Sequence, residues 1–479
     1  MPVAARFFKS LFLLLLLNAV IKPVWIFFID RKVQLLTGEA YGSYFSLLHL
    51  TLIPAVIADA GILAFYTRAV AADPLHAPLR FRYFFRVKLL LSVLYLLTTL
   101  LLALILFNGQ TGFILSLALL QVAGSFYLFF RSHISALQLF KADAFFSVAD
   151  KTLVILVAGS IIYLPGLPVI INTELFVFIQ MGAFVLASIA ALFFLTPHLN
   201  IKTGSLTRYP GFRKELKGAL PYALVVLLMT ILYRFDAFLL YQFHADGKTE
   251  ASKYAGGFRL LDALNMTGFL VASFLLPLLS RGINQQNRLN VVKHCTGLLL
   301  TFSSVVAGFC WFNKEWVCNL LYGSFYPDGE RVVAASVLAI AGCSLVHIYG
   351  TVLTAAGEVK LLAICAGVFA ALNITANFFV IPYYGAFGVA IIAASGQLLF
   401  GIALILICYY KKMSVPEKNY WLAAIMVPLS VFLFFLFFHE IRVLLQIIAT
   451  VVIAVTVAFG LRVINFKMIK GMLFPAKNN

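Results

Sequence analysis

Three cations stand inside apolar runs of this chain: Lys22, Arg234 and Arg259. An isolated charge in hydrocarbon is costly, about 2.5–3.5 kcal/mol for an arginine on insertion scales, so such residues mark interiors that are wet or paired. Arg234 lies in Leu216–Phe243, a run long enough to cross a bilayer, two positions before Asp236. Counting a rise of about 1.5 Å per residue from the nearest loop cations, all three fall between the middle and the outer half of the bilayer. Facing one another they form a basic pocket. The planar fork of arginine donates two parallel hydrogen bonds to a phosphate, and lysine adds a point charge, so the chemistry is capture of a phosphate or pyrophosphate head group. Each cation also has a structural alternative. Arg259 can pair with Asp262 at i+3, Lys22 can reach to the outer interface, and Arg234 can pair with an acid on a neighbouring helix.

The carboxylates well inside apolar runs are Asp59, Asp236 and Asp262. Each can bind H⁺ or Na⁺ and couple movement to a gradient, although neutralising a nearby arginine is the commoner role. His49 and His347 also lie in apolar runs; an acyltransferase uses such a histidine as a base, but neither has a second catalytic group in register. Asn373 and Asn377, at i and i+4, form a polar stripe that suits a helix–helix contact. Six cysteines with no CxxC pair give neither a disulfide framework nor a metal site. No catalytic residue, metal or cofactor is therefore expected.

The elements that must hold these residues are membrane spans. The 479 residues are 63% hydrophobic and 11% charged, which excludes an ordinary soluble enzyme. A spanning helix needs about 20 mostly apolar residues. Apolar runs occur at 11–29, 41–66, 87–107, 111–133, 148–166, 174–197, 217–243, 251–280, 291–312, 331–354, 359–382, 384–410, 419–438 and 441–464. The expectation is an all-α polytopic membrane protein of about 14 transmembrane helices. Pro54 and Pro277 lie in the second and eighth runs, both long, and predict kinks.

Loop charge sets the orientation. Of the 36 Lys and Arg, 26 fall on one set of alternate loops, 7 on the other and 3 within spans. Both termini are thus expected in the cytoplasm, and the net charge of +18 is topological rather than a sign of nucleic-acid binding. The chain also repeats itself. GEAYGSYFSLL follows the first run and TEASKYAGGFRLL follows the seventh, in each case an acid, a gap, then Tyr and Gly. That pattern predicts a parallel duplication, with an N-lobe at 1–216, a C-lobe at 217–412, each of six helices, and two further helices at 413–479.

Four stretches together carry a family resemblance: Gly38–Tyr44 (GEAYGSY), Asp59–Ala71 (DAGILAFYTRAVA), Gly256–Leu264 (with GFRLLDAL) and Ala371–Ala394 (ALNITANFFVIPYYGAFGVAIIAA). The chain resembles the Wzx-type oligosaccharide flippases of the multidrug/oligosaccharidyl-lipid/polysaccharide exporter superfamily. The resemblance implies a fourteen-helix bundle around a cavity that opens alternately to each side. It further implies transport, for O-antigen, capsule or exopolysaccharide synthesis, of a polyprenyl-pyrophosphate-linked oligosaccharide across the bacterial plasma membrane. The partners it implies are that lipid-linked oligosaccharide, membrane lipid, a coupling H⁺ or Na⁺, and a polysaccharide polymerase with glycosyltransferases. Two other classes remain open: a drug/cation antiporter of the same superfamily, and a membrane glycan polymerase, ligase or acyltransferase.

Overall fold

A computed structural model describes residues 3–59, 61–63, 66–67, 70, 74–107, 109–164, 169–199, 212–280, 285–323, 328–413, 418–438 and 442–460. Among these residues the chain is helical, with no strand. It divides into two compact units, Met1–Tyr241 and Gln242–Asn479.

The first unit opens with α1 (Val3–Val24), which continues through a π-helical segment, Trp25–Asp30, into α2 (Arg31–Thr37). Pro23 has no N–H to give to the preceding turn, and the helix resumes as the wider π turn. Arg31 and Lys32, expected in a loop, are helical in consequence. α3 (Glu39–Leu52) ends at a turn over Ile53 and Pro54, and α4 (Ala55–Asp59) follows. The kink expected at Pro54 is there: Ile53 keeps helical angles (φ −66°, ψ −58°), but Pro54 has no N–H to give to the preceding turn and its ring crowds the carbonyl there. Next come α5 (Ala77–Leu106), α6 (Thr111–Ala136), α7 (Phe140–Phe146), α8 (Ala149–Tyr163) and α9 (Thr173–Leu195). α10 (Phe212–Phe243) carries Arg234, and the division between units falls in its last turn. An aromatic layer of Tyr66, Phe81, Phe84, Phe129 and Phe130 joins α5 to α6.

In the second unit α11 (Gly247–Ser280), α12 (Gln285–Phe312), α13 (Lys314–Tyr322), α14 (Gly329–Ala355) and α15 (Val359–Tyr410) are followed by α16 (Lys418–Phe438) and α17 (Val443–Gly460). Glycines let the backbones close up. A Cβ on Gly342 of α14 would lie 2.3 Å from backbone atoms of Gln397 and Leu398 in α15, and one on Gly257 of α11 would lie 2.4 Å from Ser336 Oγ. The eleventh and twelfth spans expected from sequence follow one another without a loop as α15, two helical stretches that meet in a kink at Gly385 (φ 49°, ψ −137°), three residues past Pro382. Pro382 stays in the helix; only Gly tolerates the next conformation.

Eight helices among the described residues are long and apolar enough to cross a membrane, α15 counted once, with shorter apolar helices at Met426–Phe438 and Val443–Val457. The chain is a multi-pass membrane protein with about fourteen helices in the expected places.

Candidate functional site

In the first unit, Lys22 is half-buried in the last turn of α1, immediately before the π segment. The segment is pinned from three sides. Tyr41 donates its hydroxyl to Asp30 Oδ1 at 2.8 Å, Tyr163 donates to the Phe28 carbonyl at 2.7 Å, and the Lys151 ammonium sits 4.3 Å above the Trp25 ring. These contacts fix the direction in which α1 presents its last turn.

Arg234 is half-buried on α10, with its Nη1 3.0 Å from Nε2 of the buried His49 on α3. An arginine N–H only donates, so His49 accepts through Nε2 and is neutral in this contact. The same stretch of α10 is tied to the first unit by Ser46 Oγ donating to the Ala237 carbonyl at 2.9 Å, and by Gln110 donating to the Tyr241 hydroxyl at 3.1 Å. Phe107 and Phe238 meet edge to face. Asp236 is buried, 2% exposed. His49 thus acts as a guanidinium acceptor, and its ring packs on Phe45 at 4.1 Å.

Asp59, at the end of α4, faces Lys88 of α5: Nζ is 3.7 Å from Asp59 Oδ1 and 3.3 Å from the Ala58 carbonyl. Lys88, the second residue of the apolar run 87–107, is one of the 26 cations that the sequence assigns to loops, grouped with Arg80, Arg82 and Arg86 just before it. The helix in fact starts at Ala77, three turns earlier, and Lys88 is 1% exposed inside the unit. Its position at the head of an apolar run was the one signal available.

In the second unit Arg259 is buried on α11, 6% exposed, and donates through Nη1 to the Tyr322 hydroxyl at 3.1 Å. Tyr322 in turn donates to the Gly256 carbonyl at 3.0 Å, and a Cβ on Gly256 would lie 3.2 Å from the Tyr322 ring. Asp262, half-buried, follows one turn later on the same helix. Tyr322 lies on α13, between the expected spans 291–312 and 331–354, where the sequence singles out no residue. His347 meets Asn265 across helices at 3.0 Å, and Asn377 donates to Asn373 at 2.8 Å along α15. At the α15 kink Glu250 accepts from the Ala386 N–H at 2.7 Å and from Lys253 Nζ at 2.8 Å.

Lys22, Asp59, Arg234 and Asp236 therefore belong to the first unit, and Arg259 and Asp262 to the second. Within each unit the interior arginine donates to a neutral acceptor, an imidazole in one and a phenol in the other. Either bond orients a guanidinium.

No protein-family model and no curated protein matches the chain. Solved structures do. The lipid II flippase MurJ, in an inward closed conformation, superposes with a TM-score of 0.65 at 15% identity, covering 98% of this chain and 99% of that one. A MOP-superfamily transporter from Pyrococcus furiosus, described as having a binding pocket of reverse polarity, gives 0.61 at 12% identity, covering 85% and 94%. A MATE transporter in complex with MaL6 gives 0.59 at 12% identity, covering 85% and 95%. The fold is that of these transporters.

Proposed function

We propose that the protein is a flippase of the Wzx type. It moves a polyprenyl-pyrophosphate-linked oligosaccharide across the bacterial plasma membrane by alternating access, with six-helix lobes at 1–216 and 217–412 and accessory helices at 413–479. The observation that carries this reading is the half-buried arginine Arg234, oriented by His49 within a largely apolar bundle. Arginine is suited to pyrophosphate and unsuited to a cationic drug. In this reading Arg234, Lys22 and Arg259 are the contacts for the anionic head group. Asp236 and Asp262 balance charge beside Arg234 and Arg259. A second support is coverage. The lipid II flippase spans 98% of this chain, whereas the MATE transporter spans 85%.

The drug/cation antiporter is the competing reading, since its superfamily shares the fold. The two separate on one set of measurements. With the protein in proteoliposomes, undecaprenyl pyrophosphate should bind, and Arg234→Ala should weaken that binding about 10- to 100-fold, the equivalent of one charge-assisted contact of roughly 1.5–3 kcal/mol. In cells the same variant, at normal protein level, should lose surface glycan. Unchanged export in that variant removes Arg234 from the substrate site, and drug sensitivity of a deletion strain with intact surface glycan favours the antiporter.

A further inference from the structure

Lys88 is out of place for a topological cation. Its side chain is 1% exposed, deeper than that of its partner Asp59, which is 37% exposed. Around the ammonium stand oxygens: the Asp59 carboxylate at 3.7 Å and the Ala58 carbonyl at 3.3 Å. One helical turn on, on the same face of α5, the Ser92 hydroxyl is 4% exposed and has no hydrogen-bond partner among the described residues. Carboxylate, carbonyl and hydroxyl oxygens are the hard donors that hold small hard cations.

Among the described residues, apolar side chains pack beside the pair. Ala58, Tyr95 and Ala118 pack together with Ile57, Leu96 and Val122, so α6 covers this region with Ala118 and Val122 and not with charge. Tyr95, the titratable group further along α5, gives its hydroxyl to the Thr51 carbonyl at 3.1 Å. A lysine ammonium is a compact point charge on a flexible stem, and so it can stand where a monovalent ion would.

We infer that Asp59 and the Ala58 carbonyl, with the buried Ser92 one turn along α5, form the wall of a monovalent-cation site that the chain fills with its own Lys88 ammonium, which touches the first two and makes no hydrogen bond to Ser92. A tethered cation neither arrives nor leaves with the cargo. The site is therefore closed to free Na⁺, and Asp59 contributes no sodium coupling. The inference holds whichever cargo is carried, so its fate is separate from that of the flippase reading.

The test is ²²Na⁺ binding to the full-length protein in lipid nanodiscs. K88M should bind one Na⁺ per chain more than the wild type, and D59N/K88M should lose that ion again. D59N alone should bind as the wild type does. If K88M binds no more Na⁺ than the wild type, or if D59N alone loses an ion, the inference is wrong. Should K88M fail to fold, K88Q takes its place with the same two outcomes. The exchanged pair D59K/K88D, which keeps the tethered cation, should match the wild type; an extra ion there also overturns the inference.

Discussion

The hydroxyl of Tyr322 holds a buried guanidinium and a backbone carbonyl at once. It accepts from Arg259 at 3.1 Å and donates to Gly256 at 3.0 Å. Leaving a buried charged donor unsatisfied costs about 1–3 kcal/mol or more. Tyr322→Phe should therefore lower the thermal unfolding midpoint by several degrees while keeping the ring's packing. Gly256→Ala, whose methyl would press on that ring, should act in the same direction, and the double variant should cost less than the sum because both act on one contact. A midpoint unchanged in Tyr322→Phe would remove the hydroxyl from any role in fixing Arg259. At the same scale Asp59 was legible as an interior acid, but its partner Lys88 was not. Charge counting assigns a residue to a loop by the hydropathy beside it, and only the true helix start at Ala77 showed that Lys88 lies inside.

At the scale of the element, glycines decide where helices approach and where they turn. Gly342→Ala puts a methyl 2.3 Å from the backbone of α15, which cannot yield as a side chain can, so α14 and α15 must part. Overpacking of this kind costs typically about 1–3 kcal/mol. Gly385→Ala meets two obstacles, a positive φ and the Glu250 carboxylate 2.4 Å from the added carbon, and should cost about 1–3 kcal/mol as well as displacing the cap on Ala386. Gly182→Ala on α9 meets nothing within 4 Å and should leave the protein unchanged or stabilise it by about 0.5–1 kcal/mol, since alanine favours the helix. Ranking the three by detergent-solubilised unfolding midpoints tests whether close approach and positive φ, and not glycine as such, set the cost of adding a methyl. The sequence ended one apolar run at residue 382, a proline, and began the next at 384, whereas the kink falls at Gly385. A proline breaks one hydrogen bond on its own helix, whereas the change of direction needs a φ that proline cannot take.

For the whole molecule, the alternation of loop charge makes a prediction that the helix packing alone does not. With 26 Lys and Arg on one set of loops against 7 on the other, both ends should face the cytoplasm. A green fluorescent protein fused to the C-terminus should fluoresce, and alkaline phosphatase fused there should be inactive. An active phosphatase reverses the assignment. The orientation then fixes which face first meets a cargo made in the cytoplasm, and so the direction of any flipping.

The sequence by itself determined the solvent, the helix count and the order of the helices. A run of apolar residues is insoluble in water whatever its neighbours are, and its length alone sets whether it spans a bilayer. It also marked Lys22, Arg234 and Arg259 as interior cations, because charge among apolar residues is visible without coordinates. Only the tertiary structure decided their partners. His49 lies 185 positions from Arg234, and Tyr322 lies 63 from Arg259. Separations of that size carry no periodicity, since which helix faces meet is fixed by packing many residues at once.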